Sequence, residues 1–265
     1  MTTGRPVPRW LAAVLQELEL ERPALVRVGD IERIAEAVGA GAPTPLIVKG
    51  LAERRWLLPT GVRGVWEFSP GDRAGGRSAG GPFRVLLALR TKHPELAASI
   101  ALESALWQRN LVDRAPDPGV VVLPPGARPP AALRRAYRLT WFEASPEPVD
   151  VGRVPTQALE ATLLHLAAKP TDVRDWGAVL DALAAIVSGV DRDIVEDGLS
   201  RLGHAARARF SYLVSGVAPA WPERLGVPRR GVVRFGPRDR AQRRYNARWN
   251  ISDTVLPGDP ANWRE

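Results

Sequence analysis

The sequence contains no cysteine, so it can form neither a disulfide framework nor a thiolate metal site. Lysine is scarce: Lys49, Lys92 and Lys169 are the only three, and the basic charge is otherwise arginine. No apolar run approaches the ~18–20 residues that a membrane-spanning helix needs. The opening residues carry no apolar signal core. The expectation is a cytoplasmic protein without a membrane partner. Histidine is nearly as rare. His93, His165 and His204 stand in no metal-ligand spacing, and His165 falls on an apolar helical stretch that suits a packed side chain. Ser215 lacks the first glycine of a nucleophile elbow. Asp117 follows a proline but has no Glu-x-Lys behind it, as a nuclease carboxylate set would require. Asp191, Asp193, Glu196 and Asp197 cluster where a helix begins, and there they complement the helix dipole. No catalytic constellation, metal site or cofactor motif emerges, and an enzyme is not expected.

What is present is ordinary globular composition, 45% hydrophobic and 25% charged, arranged around Gly29–Phe68. Ile31, Ile34, Ala35 and Val38 mark one face of a short helix, with Asp30 placed as its N-cap. Gly39-Ala-Gly41 ends it, and a second helix follows from about Thr44 to Arg55 with Ile47, Leu51 and Arg54, flanked by Leu46 and Gly50, inward. Trp56–Leu58 and Val65–Phe68 read as strands joined by a turn over Thr60–Gly64. Arg9–Leu20 supplies an opening amphipathic helix, and Leu25–Val28 a short connecting strand. Two short helices across a glycine turn, then a hairpin, form a winged helix-turn-helix, a DNA-binding design. On its second helix, Thr44, Val48, Ala52 and Arg55 are read as facing away from the core, with Lys49 beside them. These five, with Arg63 at the wing tip, are the expected DNA contacts.

Ser69–Pro82 holds five glycines and no apolar side chain larger than alanine, but no Gly-Lys-Ser/Thr ends it. It reads as a linker over 71–82 between an N-terminal domain at 1–70 and a C-terminal domain at 83–265. In the second domain, 83–154 contains strands, 155–216 is helical and 217–265 is arginine-rich. A helix over Leu96–Gln108, strands over Gly119–Leu123, Tyr137–Glu143 and Val149–Val154, and a helix opened by Pro155 are expected. Further helices are expected from Asp175 or Trp176, from Asp193 and from Ala205, with short strands at Val232–Phe235 and Trp249–Asp253. Helices and strands grouped in this way give α+β rather than alternating α/β.

The net charge is +8. Residues 1–75 hold ten Lys/Arg and nine Asp/Glu, a net of +1, while 223–248 hold nine Arg against Glu223 and Asp239, a net of +7. Nearly all the excess therefore lies late in the chain. Arg229, Arg230, Arg234, Arg238, Arg240, Arg243, Arg244 and Arg248, interleaved with Phe235, Tyr245 and Trp249, suit a nucleic-acid or acidic-partner surface.

Three blocks give the chain a resemblance to a known family. The first is Leu51-Ala-Glu-Arg-Arg-Trp56-Leu57 running into Arg63-Gly64-Val65-Trp66-Glu67-Phe68. The second is Ser99–Leu106 with Asn110-Leu111 and Gly119–Val122. The third is Leu159–Val187 with Asp172-Val173-Arg174-Asp175, followed by Leu202-Gly203. In this order they resemble the AbiEi antitoxins of bacterial type IV toxin–antitoxin systems. Arg55 and Asn110 stand where that family commonly has glycine. The resemblance implies an N-terminal winged helix that represses its own operon at promoter repeats. It implies a larger mixed α+β antitoxin domain that counteracts a nucleotidyltransferase-like toxin of the AbiEii family, with no catalysis by the antitoxin itself. A stand-alone winged-helix regulator with a ligand- or partner-sensing domain is the alternative. A nucleic-acid enzyme lacks the carboxylate or histidine cluster it would need.

Overall fold

A computed structural model of the chain describes residues 7–73, 78–143, 146–226, 231–238 and 243–263. It divides into two compact units. The first comprises residues up to Leu96 with Pro130–Arg135; the second comprises Ala97–Pro129 and the chain from Ala136 onward. The architecture is mixed α+β in both.

The first unit runs α1 (Arg9–Glu21), β1 (Leu25–Arg27), α2 (Val28–Ala37), α3 (Thr44–Glu53), β2 (Leu57–Pro59), β3 (Val65–Phe68) and α4 (Arg84–Lys92). The strands form one antiparallel sheet in the order β1-β3-β2. Leu11, Val14 and Leu18 of α1, Ile31 and Ile34 of α2, and Ile47 and Leu51 of α3 meet Val26, Leu57 and Phe68 in one core. This is the winged helix-turn-helix order, with α3 as the second helix of the motif. Asp30 does not cap α2 from outside. The helix begins at Val28, and Asp30 accepts the Arg27 backbone N–H at 2.8 Å from the third helical position.

The two units divide after Leu96. Past β3, the buried Glu67 carboxylate holds described residues that follow it in the chain. It accepts from Arg73 at 2.8 Å and from the Ala79 N–H at 2.5 Å, and lies 3.5 Å from Arg84. Glu19 accepts the Gly71 N–H at 2.6 Å. Helix α4 then packs against β1 and β3.

The second unit carries a five-stranded mixed sheet of β4 (Ser99–Ile100), β5 (Val120–Leu123), β6 (Arg138–Trp141), β7 (Val149–Val151) and β8 (Val154–Thr156), in the order β6-β5-β4-β8-β7. Its helices are α5 (Leu102–Gln108), α7 (Leu159–Ala168), α8 (Trp176–Gly189), α9 (Arg192–Leu202), α10 (His204–Val214) and α11 (Ala220–Leu225); α6 (Ala131–Ala136) precedes β6. Helix α7 is buried over most of its length and packs against α5, α8, α9 and α10. Gly198 permits the α9 approach, since a Cβ there would meet Leu164 Cδ1 at 2.4 Å. Of the acids read at a helix start, Asp191 caps α9 by accepting from the N–H groups of Asp193 and Ile194; Asp175 caps α8 by accepting from Ala178 N–H.

Two expected elements change type. The helix expected over Leu96–Gln108 is a strand followed by a helix. Ser99 and Ile100 are claimed by ladders to β5 and β8, and Leu102 turns the chain in a left-handed conformation, φ 49°. Val149–Val154 is a hairpin rather than one strand, turning at Gly152 and Arg153 with φ 57° and 67°. Pro155 lies in β8, and the helix begins at Leu159. The chain ends in a small sheet of β9 (Val233–Phe235), β10 (Arg244–Asn246) and β11 (Ile251–Asp253), ordered β10-β11-β9.

Candidate functional site

The outward face of α3 differs from the one read from periodicity. Ile47, Gly50 and Leu51 are its buried residues. Gly50 faces inward because Trp10 lies across it; a Cβ there would meet the indole at 2.8 Å. That centres the buried face between Ile47 and Leu51 and turns Pro45, Leu46, Lys49 and Glu53 outward. Val48 and Ala52 are half-buried and lean on the core, and Thr44 is half-buried at the first helical position. Lys49 is exposed, 3.8 Å from Glu53. Arg55 is exposed just beyond the helix, in a left-handed conformation with φ 60°. Gly50 is buried beside the inward side, as expected, whereas Leu46, expected there too, is exposed together with Glu53.

Arg63 is exposed in the wing between Gly61 and Gly64, whose φ values of 86° and 81° shape the turn. Thr60 is buried and staples the loop. Its hydroxyl donates to Val65 O at 2.8 Å and accepts the Val62 N–H at 3.2 Å. Lys92, from α4, donates to Arg63 O at 3.0 Å and adds a second cation beside the wing. It lies far from the motif in sequence, so local reading did not find it.

In the second unit the resemblance blocks converge on buried polar groups. Glu103 of α5 accepts from Arg138 at 3.2 Å and from the Arg174 N–H at 2.7 Å. Asp172 accepts from the Thr140 hydroxyl at 2.5 Å and lies 3.2 Å from His165 Nε2. Gln157 Nε2 lies 3.3 Å from His165 Nδ1, while Gln157 Oε1 accepts from Leu102 N–H and Thr162. That orientation leaves Nδ1 an acceptor and places the ring proton on Nε2, facing Asp172. His165 is fully buried and stacked on Phe142 at 4.4 Å between centroids. Burial pushes its pKa down, against the pull of Asp172. Burial works to raise the Asp172 pKa, but the hydrogen bonds from His165 and Thr140 hold it below the usual carboxylate range. The cluster ties β6, α5, α7 and the 170–175 segment together; it is a closed hydrogen-bonded knot. Among the described residues, no group of three His, Asp or Glu side chains is placed to hold a metal ion, and no helix is long and apolar enough to cross a membrane.

The arginine-rich segment splits by role. Arg244 anchors the chain internally, 3.4 Å from Asp253 and Leu256 O. Arg248 pairs with Glu223 at 2.5 Å and lies over the Trp249 ring. Arg234, Arg238 and Arg243 are exposed, and Arg243 donates to Arg238 O. Arg229, Arg230 and Arg240 lie outside the described residues.

The first unit has the winged helix-turn-helix order and the second is a mixed α+β unit. Residues 97–215 match the family model of the AbiEi antitoxin C-terminal domain. The fold is also that of the crystal structure of the RV2827C protein from Mycobacterium tuberculosis. The TM-score is 0.80 at 23% identity, covering 95% of this chain and 93% of that one. No curated protein matches the sequence.

Proposed function

We propose that the protein is the antitoxin of a type IV, AbiE-like toxin–antitoxin system. It represses its own operon through the first unit and counteracts a nucleotidyltransferase-like toxin through the second, without catalysis of its own. The match of residues 97–215 to the antitoxin domain carries this reading. In support, the first unit presents Lys49 on α3 with Arg63 and Lys92 at the wing, cations suited to groove and phosphate contacts. Of the six residues expected to touch DNA, Lys49, Arg55 and Arg63 are exposed; Thr44, Val48 and Ala52 contribute only their half-exposed edges.

Two experiments test the two halves. Mobility shifts on the protein's own promoter should show Lys49→Ala and Arg63→Ala each weakening binding about fivefold or more, on the scale of a lost charged contact. Wild-type affinity in both would remove the operator assignment. Co-expression with the neighbouring nucleotidyltransferase-like gene should restore growth. Continued toxicity with folded antitoxin present would refute the neutralising role.

A further inference from the structure

The small terminal sheet has one face in the core and one in solvent. On the inner face, Phe235, Val233, Ile251 and Asp253 are buried. On the outer face the register puts three residues in one row: Tyr245 of β10 opposite Ser252 of β11, and Ser252 opposite Arg234 of β9. Directly opposed residues point to the same side, so Tyr245 and Arg234 share this face, two strand spacings or roughly 10 Å apart. Tyr245 is 58% exposed, unusual for an aromatic in a ladder, and Arg234 is exposed beside it. The ring is also held in place. Its hydroxyl donates to Asn250 Oδ1 at 2.7 Å, and Asn250 Nδ2 donates to Gly231 O at 2.5 Å.

From this we infer that the outer face of the β9–β11 sheet is a binding platform for single-stranded nucleic acid, with a base stacked on Tyr245 and a phosphate on Arg234. An exposed aromatic on an open sheet is suited to an unstacked base, and every base offers a π-face to it. Fixing the ring beforehand lowers the ordering cost of binding. The polyanion fits the exposed cations of this segment, Arg234, Arg238 and Arg243. A duplex keeps its bases stacked, so an aromatic platform selects the single strand. The inference goes beyond operator binding and uses different residues, so either can fail alone.

The test is fluorescence anisotropy of the full chain with labelled twelve-nucleotide oligo(dT) and oligo(rU), and with a blunt duplex of random sequence. A Lys49→Ala/Arg63→Ala double variant serves as a second background to remove winged-helix contacts. Tyr245→Leu should weaken single-strand binding by about 5- to 150-fold, the range for loss of one stacked base, with an unchanged salt slope. Tyr245→Phe keeps the ring but loses the bond to Asn250, so it should lose clearly less affinity than Tyr245→Leu. Arg234→Gln should reduce the slope of log affinity against log salt by ~0.7, the value for one phosphate on a single strand. A stronger effect on oligo(rU) than on oligo(dT) would assign the site to RNA, and the reverse to DNA, each in support. Parental affinity in Tyr245→Leu with parental slope in Arg234→Gln overturns the inference. So does equal loss in Tyr245→Leu and Tyr245→Phe, a loss shared equally by the duplex, or a parent that binds neither oligonucleotide.

Discussion

Arg55 allows a quantitative test of how the sequence meets the fold. It sits between α3 and β2 with φ 60°, where the Cβ of an L-residue crowds the following carbonyl. The strain is about 1–2 kcal/mol for an ordinary side chain. Glycine would remove it, but also loosens the unfolded chain by about 0.4–1 kcal/mol. The net gain expected for glycine over alanine at this position is therefore about 0.8 kcal/mol at the midpoint of the two ranges, and about 1.6 kcal/mol at most. Comparing Arg55→Gly with Arg55→Ala isolates the backbone, because both variants lose the same side chain and its contacts. For a unit of this size, that difference raises the melting temperature by about 2–8 °C. Urea unfolding followed by tryptophan fluorescence is the assay, since Trp56 is adjacent and buried in the first core. If Arg55→Gly is no more stable than Arg55→Ala, the turn is not strained and the reasoning fails. The same variants carry a functional consequence. Arg55→Gly removes an exposed cation at the end of α3, so it should bind promoter DNA more weakly while being more stable than the alanine variant. Asn110, with φ 58°, is the second position where the family's glycine is replaced. Asparagine tolerates this region, so Asn110→Gly should gain less than Arg55→Gly gains over alanine.

Other outcomes follow from particular contacts. Gly198→Val forces side-chain volume into Leu164 at the α7–α9 crossing and should destabilise the second unit by about 1–3 kcal/mol, measured by thermal unfolding. His165 titrates near its ordinary value of about 6.5 in the unfolded chain and lower in the folded one. The unfolded state therefore takes up the proton first as pH falls. Stability should decline below about pH 6.5 until the folded pKa is reached, with a slope of at most ~1.4 kcal/mol per pH unit from this group. His165→Gln should lack that component in urea unfolding between pH 7 and 5; an unchanged pH dependence would show that His165 is not its source. Lys92→Ala should weaken promoter binding while leaving the winged-helix core folded by circular dichroism, because it removes one wing-side cation at the surface.

The winged helix was legible because each of its parts is local. Apolar residues at helical spacing, glycines at the turns and a two-strand hairpin all act within a few residues of one another. What failed was orientation. The α3 face was set by Trp10, distant in sequence, pressing on Gly50. The same cause hid the strand at Ser99–Ile100. A helical pattern was overridden by ladders to β5 and β8, and the break falls at Leu102, a residue with no turn preference. Composition describes only the glycine-rich stretch itself, whereas its partner Glu67 comes from the preceding strand.

The resemblance survived these errors because its blocks encode the frame rather than a reactive site. Glu103 in the second block receives the backbone of Arg174 in the third, and Asp172 and Asp175 in that block fix the β6 contact and the start of α8. Groups of this kind are costly to leave unpaired once buried, so each constrains its partners' positions in any chain that keeps the fold. The exposed residues that would meet DNA or a toxin carry no such constraint, so they leave no comparable signature in a single sequence. Net charge misled for the same reason. It counted Arg244 and Arg248, which are engaged by Asp253 and Glu223, equally with Arg234, which is exposed on the outer face of a sheet. Only the β10–β11–β9 register separates the arginines that hold the fold from the one set beside Tyr245.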